Sequence, residues 1–117
     1  TGTARFSLGT PSPGLVARWV DDNTYWIAAV LDKPADTLAI YERTTGTNTL
    51  RASAAKVWAA DTDYVLSAIV AVNTISASGG AVSAEYTSAT QGRTASQHGI
   101  TNNSTSATMD TFSVTKP

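Results

Sequence analysis

Residues 14–31, Gly-Leu-Val-Ala-Arg-Trp-Val-Asp-Asp-Asn-Thr-Tyr-Trp-Ile-Ala-Ala-Val-Leu, constrain the fold of this chain more than any other stretch. Two runs rich in β-branched and aromatic residues flank a short polar cluster, the signature of a β-hairpin. Asp22 and Asn23 tolerate positive φ, so a tight turn there sets Trp19 opposite Trp26 and Val20 opposite Tyr25. In that register Leu15, Ala17, Trp19, Trp26, Ala28 and Val30 share one face. Val16, Arg18, Val20, Tyr25, Ile27 and Ala29 share the other. Neither face is polar, which suits a hairpin placed between two layers, or beneath a ligand or partner surface.

The same β-signals recur along the chain. Strands are expected at 3–8, 37–44, 49–53, 64–72, 74–78, 81–87 and 107–115, with order restarting at His98-Gly99-Ile100 after a polar stretch at 88–97. Pro11 and Pro13 mark a loop, and Asp32-Lys33-Pro34-Ala35-Asp36, Thr44-Thr45-Gly46-Thr47 and Gly79-Gly80 mark turns. One stretch, Ala52 to Ala60, has the propensity for a helical turn or two. In the last strand Met109 falls on one face while Phe112 and Val114 fall on the other, which a bulge near Asp110-Thr111 reconciles. Eight to ten short strands with turns about every ten residues describe an all-β, antiparallel β-sandwich, and no βαβ alternation competes.

Composition narrows the function classes. With 117 residues the chain is one domain, residues 1–117, able to bury a core unaided. Cysteine is absent, which removes thiolate metal sites and thiol nucleophiles. A net charge of -1 gives no field to gather nucleic acid or anionic lipid. No apolar run reaches the ~20 residues of a membrane-spanning helix. Because the sequence starts at Thr1, inside an apparent strand, it reads as an excerpt of something longer.

His98, the only histidine, sits beside Gly99 with no nucleophile elbow near it. Asp21, Asp22 and Asn23 converge on one turn and offer the oxygen ligands that calcium takes, with Asp110 as a further ligand; these side chains also cap turns without an ion. Arg18, a charge between Val16 and Val20, must be paired or wet. It either bridges to an Asp across the sheet or points into a groove. Trp58 reads as a core plug beneath a loop.

The spaced pattern of Gly14-Leu-Val-Ala-Arg-Trp-Val-Asp-Asp-Asn-Thr-Tyr-Trp, Leu38-Ala-Ile-Tyr, Leu50-Arg-Ala, Trp58 with Tyr64-Val-Leu, and Met109-Asp-Thr-Phe-Ser-Val resembles the concanavalin A-like, laminin-G-like jelly roll. Domains of that kind occur in phage minor tail or fibre proteins and in secreted bacterial carbohydrate-active proteins. The resemblance implies two curved antiparallel sheets, a virion or extracellular setting, and family strands missing before Thr1. Glycan-cutting members carry a Glu-x-Asp-x-x-Glu set on one strand, whereas this chain has only Glu42 and Glu85, far apart. The expectation is therefore a non-enzymatic recognition module for cell-surface or polymeric carbohydrate. Trp19, Tyr25, Trp26 and Tyr41 would stack on sugar rings and Arg18 and Asn23 would bond hydroxyls. No cofactor is required, and calcium at Asp21, Asp22 and Asn23 is the metal to consider. The alternative is a structural virion domain that packs against sister subunits as a homo-oligomer such as a trimer, or against a neighbouring domain.

Overall fold

The alternation of apolar and hydroxyl residues folds as strands almost wherever it occurs. A computed structural model describes residues 2–7, 13–32, 35–59, 63–71, 73–89, 91, 97–102 and 111–114. These form β1 (Gly2–Ser7), β2 (Pro13–Asp21), β3 (Thr24–Asp32), β4 (Thr37–Thr44), β5 (Thr47–Ala55), β6 (Asp63–Val70), β7 (Ile75–Gly79), β8 (Val82–Tyr86), β9 (Gln97–Asn102) and β10 (Thr111–Val114). They build two five-stranded sheets, ordered β10-β1-β6-β7-β8 and β5-β4-β3-β2-β9, with antiparallel pairing throughout. The sheets stack with β5 over β8 and β3 over β6 and β7, the all-β antiparallel sandwich that the sequence implies.

The core lies between the inner faces. Leu15, Ala17, Trp26, Ala28, Ala29, Leu31, Leu38 and Ile40 from one sheet meet Leu66, Ala68, Ile75 and Ala77 from the other. Trp58 plugs one end, as its sequence context suggests. Its indole N–H donates to the Thr37 carbonyl at 2.9 Å, and its ring meets Tyr64 edge-on with centroids 4.9 Å apart. A buried indole with its one donor satisfied keeps its hydrophobic gain.

Three expectations are corrected. The helical turn at 52–60 does not form: Ala52 to Ala55 belong to β5, paired with β4 from Ile40 to Thr37, and 56–59 are irregular. Alanine's helix preference is weaker than a full ladder plus the half-burial of Ala52 and Ala54 between sheets. The central hairpin does turn at Asp22-Asn23, with Asp21 paired to Thr24, but the ladder then breaks and Trp26 pairs with Ala17, not with Trp19. The extra residues include Arg18, whose φ of 52° places it in the left-handed region, so a bulge supplies the twist expected of the turn. Neither Asp22 nor Asn23 has positive φ; instead the Asn23 N–H donates to the Asp21 carboxylate at 2.8 Å. The turns built on left-handed residues are β4–β5, with Thr45 at 48° and Gly46 at 83°, and β7–β8, with Gly80 at 57° and Ala81 at 66°, both in the pattern of a type I′ hairpin. The bulge expected near Asp110 lies outside the described residues.

Candidate functional site

The outer face of the sheet β5-β4-β3-β2-β9 gathers the aromatic and charged side chains. Strand β4 alternates, sending Leu38 and Ile40 into the core and Thr37, Ala39, Tyr41 and Arg43 outward. Register then fixes their neighbours. Tyr41 lies in a row with Ile27 and Val16 on one side and Leu50 on the other; Arg43 lies between Tyr25 and Asn48; Ala39 lies between Val30 and Ser53. Asp32, opposite Thr37, closes the face at its far end.

The Tyr41 hydroxyl donates to the Asp32 carboxylate at 2.7 Å. The row of Val30 and Ala39 lies between the two residues, so the phenol ring spans that row and covers it. This explains why two outward residues are buried without belonging to the core cluster. Burial, then the hydrogen bond to Asp32 and its charge, push the Tyr41 hydroxyl up to about 12 from 10.0. The phenol is therefore a fixed, neutral donor, and one ring face lies along the sheet. Asp32 is itself held, because its other oxygen accepts from the Ala35 N–H at 3.4 Å.

At the opposite end Arg43 donates through Nε to the Asp22 carbonyl at 3.2 Å and through Nη1 to the Asn48 amide oxygen at 3.1 Å. Its guanidinium carbon sits 5.8 Å from the Tyr25 ring centroid, a cation–π distance. The Arg43 carbonyl accepts from the Gln91 amide at 2.9 Å, which ties this end of β4 to the segment after β8. The face thus presents hydrogen-bond acceptors at the Asp32 end, donors at the Arg43 end and aromatic surface between them.

The residues singled out from sequence separate into three places. Tyr25 and Tyr41 share the outer face, and Asn23 stands on the adjoining exposed turn, where its carbonyl accepts from the Gly46 N–H at 3.1 Å. Trp26 and Arg18 are corrected to the interior. Trp26 is 0% exposed; its ring lies 5.8 Å from that of Tyr86 and its N–H donates to the Gln91 carbonyl at 2.9 Å. Arg18 is 4% exposed and lies in the interior. It donates to the Ala89 carbonyl at 2.7 Å and to the Ala71 carbonyl. The bulge is what turns this side chain inward. Trp19, half-buried, pairs with Gln97 of β9.

In the exposed acidic turn the Asp21 carboxylate accepts from the Asn23 N–H, and the backbone carbonyl of Asp22 accepts from Arg43. Among the described residues no three His, Cys, Asp or Glu side chains gather around a common point, and Asp110 is outside them. Glu42 points between the sheets, where it pairs with Arg51 at 2.8 Å. Glu85 lies on β8, accepting from the Ser76 hydroxyl at 2.8 Å, so the two carboxylates do not flank one bond. The His98 side chain lies outside the described residues. Asp32, Arg43 and Asn48 were not singled out in the sequence. The signal that reveals them is Tyr41-x-Arg43 on one strand face, with Tyr25 opposite Arg43.

No family model and no curated protein matches the chain. Among solved structures it is similar to the carbohydrate-binding module CBM66 from Bacillus subtilis, with a TM-score of 0.78 over 95% of this chain and 71% of that chain, at 10% identity. At that identity the likeness carries the β-sandwich fold, with which a concanavalin A-like jelly roll agrees coarsely.

Proposed function

We propose that this chain is a non-enzymatic carbohydrate-recognition module whose ligand lies on the outer face of β5-β4-β3-β2-β9, against Tyr41. The observation that carries the reading is the Tyr41–Asp32 hydrogen bond, which lays an aromatic ring along an exposed sheet and orients a carboxylate beside it. Sugars are recognised by such pairs: the ring packs against the C–H face of a pyranose, and charged acceptors and donors take its hydroxyls. The structural similarity to a carbohydrate-binding module supports the same reading, although fold alone never fixes function. The setting that suits it is extracellular, in a secreted bacterial protein or a phage tail or fibre. Titration of the purified chain against a glycan array tests the proposal. Saturable binding lost in Tyr41→Ala, with the far-UV circular dichroism unchanged, supports it. Binding that survives Tyr41→Ala removes the ligand from this face.

A second reading, a structural domain packing on sister subunits, is favoured by one observation. Val65 and Ile69, on the central strand β6, are 50% and 55% exposed on the other sheet's outer face. Light scattering over a hundredfold concentration range separates the two readings: a trimer or larger assembly without a glycan response favours the structural role, and a glycan-binding monomer favours the first.

A further inference from the structure

The two polar ends of the candidate face are too far apart for one sugar ring. The Tyr41 phenol reaches Asp32 at about the Ala39 row, and from Ala39 to Arg43 is four strand residues, roughly 13 Å at the rise of a β-strand. We propose that the face takes an uncharged linear saccharide of about three units, laid along β4 from Asp32 to Arg43. This rests on the carbohydrate reading above and deepens it.

Three features converge on such a ligand. The aromatic surface is extended along β4, with the Tyr41 ring in the middle and Tyr25 beneath the Arg43 guanidinium at one end, so the groups that could contact a ligand span more than one sugar ring. Across the strands, Val16, Ile27, Tyr41 and Leu50 make a level row, with Leu50 52% exposed. A level row supports the side of a chain and does not enclose its end. Charge argues for a neutral ligand. Asp32 stands at one end, while Arg43 at the other reaches the turn that carries the exposed carboxylates of Asp21 and Asp22. An anionic sugar drawn to the guanidinium would meet the two carboxylates of that turn and, along the face, the carboxylate of Asp32 at the far end, and like charges across a face are repelled.

The test is calorimetric titration with oligomers of one to five units, using β-1,4-linked glucose, mannose and N-acetylglucosamine, with oligogalacturonides as the charged comparison. A neutral series is expected to gain at least tenfold in affinity between one and three units and then level off. Asp32→Asn and Arg43→Gln each flatten that gain, and the control Ile69→Thr leaves it unchanged. Oligogalacturonides of equal length bind at least tenfold more weakly. A single sugar that binds as tightly as the trimer, or uronides that bind more tightly than neutral oligomers, overturns the proposal while leaving carbohydrate recognition standing. A folded protein that binds no saccharide on a broad array overturns the carbohydrate reading itself.

Discussion

On one outer face Tyr25, Tyr41, Asp32, Arg43 and Asn48 hold one another through hydrogen bonds and ring contacts. On the other, the register aligns Ser67, Ser78 and Ser83 in one row across β6, β7 and β8, with Val65 and Ile69 exposed on either side of Ser67. Both faces are the outward half of the same alternation over the same core. Inward positions are tightly constrained by close packing, whereas outward positions are free to vary in chemistry. One sheet has used that freedom for oriented, charged and aromatic groups. The other carries small hydroxyls and bare aliphatics, with the Ser76–Glu85 hydrogen bond as a polar link. The first face is polar, aromatic and cross-linked, and the second is plain.

The contrast fails altogether if the shared core is opened. Trp26→Ala removes a fully buried indole and is expected to cost about 3–5 kcal/mol, read as a shift in urea midpoint, with both faces lost together. Tyr41→Ala sharpens the contrast: glycan affinity falls at least tenfold, about 1.4 kcal/mol, while Val65→Thr leaves affinity unchanged. An equal loss in both variants would erase the distinction between the faces. Alkaline pH probes the face that carries Tyr41. Because folding raises the Tyr41 hydroxyl from 10.0 to about 12, the stability it contributes is fully present below pH 10 and is lost as pH rises from about 10 to 12. Tyr41→Phe should remove that part of the decline in thermal midpoint, whereas Ile69→Thr should follow the parent curve. The smallest effect is expected for Val65→Thr and Ile69→Thr combined, within about 0.5 kcal/mol by denaturant titration, as for most surface changes. A drop in molar mass in that variant would instead show the second face holding a partner copy.

Much of this architecture is legible in the sequence because period-2 alternation and Gly-, Asn- or Pro-marked turns act locally. Strand β4 runs over the residues the alternation indicates, and Gly46 and Gly80 sit where turns need positive φ. Features set by distant partners are less legible. Ala52 to Ala55 read as helical until β4 supplies a ladder, and Trp26 pairs with Ala17 only because three residues of β2 bulge away. The site divides in the same way. Tyr25 and Tyr41 are visible as aromatics on alternating strands. Asp32 reads as a turn residue, and its tie to Tyr41 depends on the antiparallel return of the chain over Ala39. Arg18 is conspicuous as a charge among apolar neighbours, but its destination lies in segments 53 and 71 residues away.

That reach gives the Arg18 bulge a consequence in time. Its guanidinium joins β2 to the segments after β6 and β8, contacts of long sequence separation that form only once both sheets have docked. Interactions absent from the folding transition state slow unfolding without hastening folding. In a chain with no cysteine, this strained residue is placed to act as a late-closing latch on the sandwich. Arg18→Met is expected to steepen loss in stopped-flow unfolding while leaving the refolding limb nearly untouched, so the residue's contribution is to the lifetime of the native state.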